Sequence, residues 1–237
     1  MKNLKTDWDV ITVGGSVSGL LAAKGIAEAG FTVQVLEEDL EIGMPERCDG
    51  LVSMKCLETI GIAPTNQIIQ NIIKRATLYS PSGLTIELDA SRQKVLVLNR
   101  SQFDRELAKM ASRSGVDIKV ENRVTKKMEK DGKVQVESKS DVYTAKWVIN
   151  ATGCSSLPKR KMTLQAAKFE VFGNWFDSDR VEIYFDQMKS PGYFIWVIPI
   201  SSDTAKVGIA GNGFNQFKVL DKFIASKKGA IVKKTAA

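Results

Sequence analysis

Along the start of the chain the period of the apolar positions changes twice. Residues 9–13 (DVITV) form a short β-branched run that reads as a buried strand. Residues 16–30 (SVSGLLAAKGIAEAG) place Leu20, Leu21, Ile26 and Ala27 at helical spacing and stop at Gly30, a residue suited to a helix C-terminus. Residues 31–38 (FTVQVLEE) return to strand texture with Val33 and Val35 and end on the pair Glu37–Glu38. A helix is predicted from about Ser101 to Ser114, with Phe103, Leu107 and Met110 on one face and Ser101 as N-cap. Residues 116–120 read as a strand, 124–138 as a hairpin turning at KDGK, and 145–153 as a strand running into a glycine turn.

From about Met162 the texture shifts to longer alternating stretches. RVEIYFD, GYFIWVIP and AKVGIAG read as antiparallel strands, and NQFKVLDKFIASKK as an amphipathic terminal helix, after which GAIVKKTAA trails off. The fold class expected is α/β, with one domain over residues 1–160 and a sheet-rich domain over 161–237.

The turn between the first strand and the first helix reads GGSVSG, residues 14–19. A pyrophosphate-binding turn follows G-x-G-x-x-G between a strand and a helix. Gly14 and Gly19 hold the outer positions, Ser16 stands at the middle one, and Gly15 is additional. Gly19 permits close helix–strand packing, the helix N-terminus offers N–H groups to a phosphate, and Ser16 still presents its own N–H. Glu37 stands where a carboxylate accepts the hydroxyls of a ribose diol. An acidic residue there disfavours a 2′-phosphate, and so disfavours NADP as the ligand of this unit. A βαβ unit without a ligand is the alternative.

Composition narrows the chemistry. The chain has 237 residues, 43% hydrophobic and 26% charged, ordinary for a globular protein. Its net charge of +7 and pI of about 9.2 come from scattered basic residues, read as a solvated surface, apart from KRK at Lys159–Lys161 and the tail SKKGAIVKK. Attraction to an anionic lipid surface or a polyanionic partner is the other reading of that excess. There is no histidine, which excludes Ser-His-Asp and Cys-His catalysis and any His-ligated metal. Cys48, Cys56 and Cys154 are spaced neither as a disulfide framework nor as a zinc site, so no metal is expected. No apolar run reaches the roughly 18 residues of a membrane span, and MKNLKTDWD lacks the apolar stretch of a signal peptide.

Four stretches together resemble the FAD-dependent geranylgeranyl reductase family, the archaeal digeranylgeranylglycerophospholipid reductases above all, within the wider flavoprotein group that includes aromatic hydroxylases. They are VGGSVSG…VLEE, EIGMPERCDGLVS, NRSQFDRELA…VINATG and PGYFIWVIPISSDTAKVGIAG. The family pattern Y-x-W-x-F-P, then seven or eight residues, then G-x-G or G-x-A, is met by Phe194, Trp196, Ile198 and Pro199, eight residues, then Gly208 and Ala210. The tyrosine position holds Phe194 and the phenylalanine position Ile198.

The resemblance implies a Rossmann-type FAD-binding domain, aromatic-hydroxylase-like, over 1–160 and a partial substrate- or lipid-binding antiparallel-sheet domain with a terminal helix over 161–237. It implies FAD contacts at Gly14, Gly15, Ser16, Ser18, Gly19, Glu37, Cys48, Asp49, Leu51, Arg100, Val124 and Gly153. Phe194, Trp196, Ile198 and Pro199 would wall an isoprenoid pocket. Cys48 would help position the alkene or deliver a proton; on composition alone it reads equally well as a small buried hydrophobe. The alternative for Arg100 is a surface salt bridge. Cys56 and Cys154 are left structural. Aromatic hydroxylases carry an acidic D-G pair where this chain has Thr152–Gly153, which leans away from hydroxylation. The family's later G-D-A motif, which brings a helix N-terminus to the pyrophosphate and isoalloxazine, has no counterpart after Ala210.

The function implied is reduction of isoprenoid (geranylgeranyl) double bonds of archaeal-type membrane prenyl lipids by hydride from reduced flavin, with a ferredoxin-like or nicotinamide electron donor. The location implied is cytoplasmic with peripheral membrane contact. Nucleic acid is not an expected partner, because the basic residues form no stripe with interleaved aromatics. Two alternatives stay open: a flavin monooxygenase of the aromatic-hydroxylase type, and a shortened, non-catalytic flavin- or lipid-binding relative.

Overall fold

The computed structural model describes residues 3–139, 141–153, 164–186 and 190–236. In chain order the elements begin with β1 (Asn3–Val13), α1 (Val17–Glu28), β2 (Val33–Leu36), β3 (Leu51–Ser53) and α2 (Met54–Thr59). β4 (Ile69–Ile73), β5 (Arg75–Tyr79), β6 (Thr85–Asp89), β7 (Val95–Leu98) and α3 (Arg100–Arg113) follow. Then come β8 (Asp117–Lys119), β9 (Val124–Lys130), β10 (Lys133–Ser138) and β11 (Asp141–Asn150). The last elements are β12 (Gln165–Phe172), β13 (Arg180–Phe185), β14 (Phe194–Pro199), β15 (Thr204–Gly211), α4 (Gln216–Ser226) and β16 (Ala230–Ala236).

Two compact units share these elements, and each is built from two stretches of chain: Met1–Glu46 with Ser101–Pro158, and Arg47–Arg100 with Lys159–Ala237. The sequence reading kept residues 47–100 in the first domain. They fall in the second because β5 pairs in parallel with β13, from Arg75↔Arg180 to Tyr79↔Tyr184, a partnership between distant strands that no local pattern announces.

In the first unit the strand order is β8-β2-β1-β11-β10-β9. β1 lies between β2 and β11, parallel to both, so its residues are buried on both sides, with Ile11 fully buried and Val13 nearly so. Its first residues pair with β11 from Asn3↔Asp141, which extends the strand well ahead of the expected start at Asp9. α1 buries Gly19, Leu20 and Ala23, whereas Leu21, Ile26 and Ala27 are only half-buried. The back of this unit carries an apolar groove of about 510 Å³, lined by Gly25, Ile26, Ala29, Phe31, Trp147 and Val148 among others. It lies at the C-terminal end of α1, away from the glycine turn.

The second unit has a seven-stranded sheet, β16-β12-β15-β14-β13-β5-β6, and a three-stranded one, β3-β7-β4. α4 packs on one face of the large sheet, against Phe169, Val171, Val207 and Ile209. On the other face Ile73 and Val97 of the small sheet meet Val181 and Ile198. The C-terminal segment, expected to trail off, is instead an edge strand, pairing antiparallel with β12 from Ala167↔Ala236 to Phe172↔Ala230.

Tyr143 is fully buried in the first unit, and its hydroxyl donates to Asn122 Oδ1 at 2.8 Å. Burial, with the nearby Asp141 carboxylate, pushes its phenol up to about 12 from an ordinary 10.0. A raised folded-state pKa gives stability that is fully present below pH 10 and is lost as pH climbs toward 12. Tyr143→Phe is therefore expected to flatten the fall of stability between those values in urea melts. Gly19→Ala is expected to lower unfolding free energy by about 1–3 kcal/mol, since an added methyl must displace backbone. An unchanged denaturation midpoint would show that the turn yields freely.

Candidate functional site

The glycine turn of the first unit is shaped by contact between backbones. A Cβ on Gly19 would stand 1.9 Å from the Gly14 carbonyl oxygen, and one on Gly14, at φ +109°, 2.4 Å from that of Ala151. A Cβ on Gly15 would meet Ile42 Cδ1 at 2.6 Å. The turn thus tolerates no side chain at the two outer glycine positions of the fingerprint, where the obstacle is backbone; at Gly15 a side chain would have to push aside Ile42 and Glu37. Ser16 is the N-cap of α1, yet its side chain does not cap the helix; its Oγ donates to Asp104 Oδ2 at 2.8 Å. The first-turn N–H groups of α1 are left to an incoming anion, and no acidic residue of that turn opposes one. Ser18 is exposed on the same turn.

Glu37 closes the opposite side. Its Oε2 accepts the Gly15 N–H at 2.5 Å and its Oε1 the Asp39 N–H at 3.0 Å, and the residue is half-buried. A carboxylate oxygen keeps a second lone pair, which is open to a further hydrogen-bond donor. The chain leading to Val124 passes beside it: Asn122 N–H donates to the Glu37 carbonyl at 2.7 Å and Glu121 N–H to that of Asp39 at 2.9 Å. Val124 itself is half-buried against the core of this unit. Gly153 is exposed at φ +67°, with open space where a Cβ would be. These are the residues of the first unit that could hold the adenosine and phosphate portion of a dinucleotide.

The remaining expected residues belong to the second unit. Cys48 is exposed, which removes its reading as a buried hydrophobe, and its Sγ accepts the Gly50 N–H at 3.4 Å. Gly50, at φ +82°, lies against Leu98, whose N–H donates to the Gly50 carbonyl at 2.9 Å. Leu51 is 40% exposed at the start of β3, and Arg100 is half-buried at the first residue of α3. Cys56 is exposed, and Cys154 and Lys159–Lys161 lie outside the described residues.

Asp49 joins this loop to the large sheet. Its Oδ2 accepts the Trp196 indole N–H at 2.6 Å, and its Oδ1 faces Lys168 Nζ at 3.4 Å. Lys168 also donates to the Cys48 carbonyl at 3.1 Å, and Lys206 to the Asp49 carbonyl at 3.3 Å and to Gln70 Oε1 at 3.3 Å. Two buried ammonium groups thus hold two successive carbonyls of the Cys48 loop, with half-buried Glu170 opposite Lys206 in register. The motif spacing has a direct cause here. Gly208 lies opposite Trp196 across β14 and β15, and a Cβ on it would fall 2.2 Å from the indole ring. Only glycine lets the indole lie over β15 and reach Asp49. Phe194 is half-buried like Trp196, whereas Ile198 and Pro199 are buried.

Sequence reasoning missed Asp104, Lys168 and Lys206. Asp104 sits among the buried positions of α3, and each lysine interrupts an apolar strand, which is the signal that scattered charge concealed. Lys168 and Lys206, exposed only 8% and 5%, are exceptions to the reading of the scattered basic residues as a solvated surface. Among the described residues no group of His, Cys, Asp or Glu could hold a metal, and no helix is long and apolar enough to cross a membrane.

The family described as FAD binding domain matches residues 7–219. The chain belongs to that family. Its cofactor is FAD, and its fold is the Rossmann-type FAD-binding domain with an antiparallel-sheet part found in aromatic-hydroxylase-like flavoproteins. The chain is 30% identical over 246 residues to digeranylgeranylglycerophospholipid reductase 1 of Methanopyrus kandleri, covering 95% of this chain and 65% of that protein. It is 32% identical over 247 residues to the digeranylgeranylglycerophospholipid reductase of Methanocella arvoryzae, covering 94% and 63%. Among solved structures, a geranylgeranyl bacteriochlorophyll reductase-like protein from Thermoplasma acidophilum superimposes with a TM-score of 0.87 at 28% identity, covering 99% of this chain and 66% of that one. The chain therefore spans a little under two thirds of the length of these relatives.

Lys168→Met is expected to destabilise the protein by about 3 kcal/mol, because it strips a buried carboxylate of its counter-charge. Adding Asp49→Asn should restore much of that loss. A double variant as unstable as the sum of the two single ones would show that the pair is not coupled, as read from denaturant midpoints of all four proteins.

Proposed function

We propose that this protein reduces carbon–carbon double bonds of prenyl lipids, using FAD. The reading is carried by the match of nearly the whole chain to digeranylgeranylglycerophospholipid reductases at about 30% identity. The Trp196–Gly208 pairing supports it, since the family's motif spacing serves a built structure in this chain.

Reduction of an isolated alkene adds a hydride to one carbon and a proton to the other, with no leaving group. Reduced FAD supplies the hydride when bound, and no side chain can. In the first unit, Gly14, Gly15 and Gly19 bring backbone up to the pyrophosphate, the open first turn of α1 answers its charge, and Glu37 orients the ribose. In the second unit, Trp196 and Phe194 present half-buried aromatic surface to an apolar substrate. Lys168 and Lys206 fix the carbonyls of the loop that carries Cys48, so the exposed thiol is held rather than free to wander. That thiol is the group of this chain suited to hand a proton to the second alkene carbon. A ferredoxin-like or nicotinamide donor returns two electrons to the flavin for each bond reduced. The net positive charge favours work at an anionic lipid surface.

The decisive experiment has two stages. FAD added to the purified protein, with the excess removed, should leave the absorption bands of bound flavin. Anaerobic reduction followed by a geranylgeranyl lipid should then return the oxidised spectrum with formation of the saturated product. Flavin that is retained but reoxidised only by oxygen, with nicotinamide consumed, would replace this reading with a monooxygenase one. Glu37→Ala is expected to weaken FAD binding by about 1–3 kcal/mol, the scale for loss of a charged hydrogen-bond acceptor. Equal affinity in a fluorescence titration would remove Glu37 from the site.

A further inference from the structure

A serine at a helix N-cap normally accepts the free N–H of the second or third helical residue on its own hydroxyl. Ser16 stands at that position of α1, with the extended backbone (φ −98°, ψ −170°) that such a cap uses, yet its hydroxyl caps nothing. The N–H groups it would serve are those of Ser18 and Gly19, so a capped α1 would close its first turn with its own side chain. In the structure Ser16 Oγ donates to Asp104 Oδ2 at 2.8 Å instead. Asp104 is 3% exposed, and the other residues that α3 buries, Phe103, Leu107 and Ala111, are all apolar. A carboxylate in such a place carries a desolvation penalty that an apolar side chain would not. The buried face of α3 therefore holds a charged group that reaches the mouth of the glycine turn, 88 residues away in sequence.

We propose that Asp104 is a positioning residue of the cofactor site: by holding the Ser16 hydroxyl it keeps α1 uncapped, and so keeps the N–H groups of Ser18 and Gly19 for the pyrophosphate of FAD. A hydroxyl bonds more strongly to a carboxylate than a neutral amide does to a hydroxyl, so the contact with Asp104 prevails over the cap. The fingerprint has glycine where this chain has Ser16, and glycine has no side chain to compete with the phosphate. Serine brings a competitor into the turn, and Asp104 draws it aside. The two residues work as a pair. Charge alone would give Asp104 the opposite effect, because a carboxylate beneath a pyrophosphate repels it. Its contribution to cofactor binding thus passes through Ser16. The inference rests on FAD as the cofactor and is independent of the prenyl substrate.

The test is a fluorescence titration with FAD of the wild type, Asp104→Leu, Ser16→Ala and the double variant. Asp104→Leu is expected to weaken FAD binding about fivefold more when Ser16 is present than in the Ser16→Ala background, the scale of one N-cap. Loss of the carboxylate charge acts in both backgrounds and drops out of the difference. Equal effects in the two backgrounds would overturn the proposal. Amide hydrogen exchange on the FAD-free wild type decides the same point without any variant. Leu20, whose N–H donates to the Ser16 carbonyl at 2.9 Å, serves as the protected reference. Ser18 and Gly19 are expected to exchange faster than Leu20 and to become protected when FAD is added. Either of them as slow as Leu20 before FAD is added would place the hydroxyl on the helix and refute the role of Asp104. Bound flavin in the absorption spectrum with both amides still unprotected would refute it too, while leaving FAD as the cofactor. A wild type that takes up no FAD would remove the cofactor and this role together.

Discussion

At the end of β1 three stretches of backbone pass so close that there is no room for side chains between them. The turn after the strand, the first residues of α1 and the segment after β11 converge at Gly14, Gly19 and Ala151. That convergence keeps α1 against the sheet and aims its free N–H groups outward. The additional Gly15 brings its own N–H to Glu37, so the carboxylate is placed by the same turn it faces. Ser16 at the middle of the fingerprint is compatible with all this because its hydroxyl turns aside to Asp104 instead of filling the mouth of the turn.

The second unit is organised by charge. Taking an ammonium or a carboxylate out of water costs several kcal/mol unless partners surround it. Lys168, Lys206 and Asp49 meet that demand with one another, with two backbone carbonyls, with Gln70 and with the Trp196 indole. Such a network holds a loop in one geometry more firmly than apolar packing would, because each member has few alternative partners. The indole of Trp196 is accordingly more than core filling: its ring lies over Gly208 and its N–H is committed to Asp49.

Local structure was legible in the sequence where the signal was local. The first strand, helix and second strand, the α3 helix, the hairpin of β9 and β10 and the strands β13, β14 and β15 follow from periodicity and turn residues. The glycine turn and Glu37 were legible because their spacing along one βαβ unit is fixed by geometry. What stayed hidden was long-range. The short strands β3 to β7 have little internal pattern and take their form from partners elsewhere, as β5 does from β13. β16 reads as a tail until β12 supplies its hydrogen bonds. Lys168 and Lys206 look like surface charge because a sequence does not display the acid that meets them. Gly208 was visible as a motif letter, but its reason, the indole lying across it, is a cross-strand fact.

The interleaving of the two units has a consequence for how the chain comes into being. β1 is made first, yet its neighbour β11 follows only after all of β3–β7 and α3 have been synthesised. β5 waits in the same way for β13. Neither unit closes on a contiguous segment, so a growing chain carries open strand edges from both at once, and its slow, long-range pairings come late. By the same logic no single cut divides this protein into two pieces that fold: severing it anywhere between β7 and β11 parts the two stretches of both units at once.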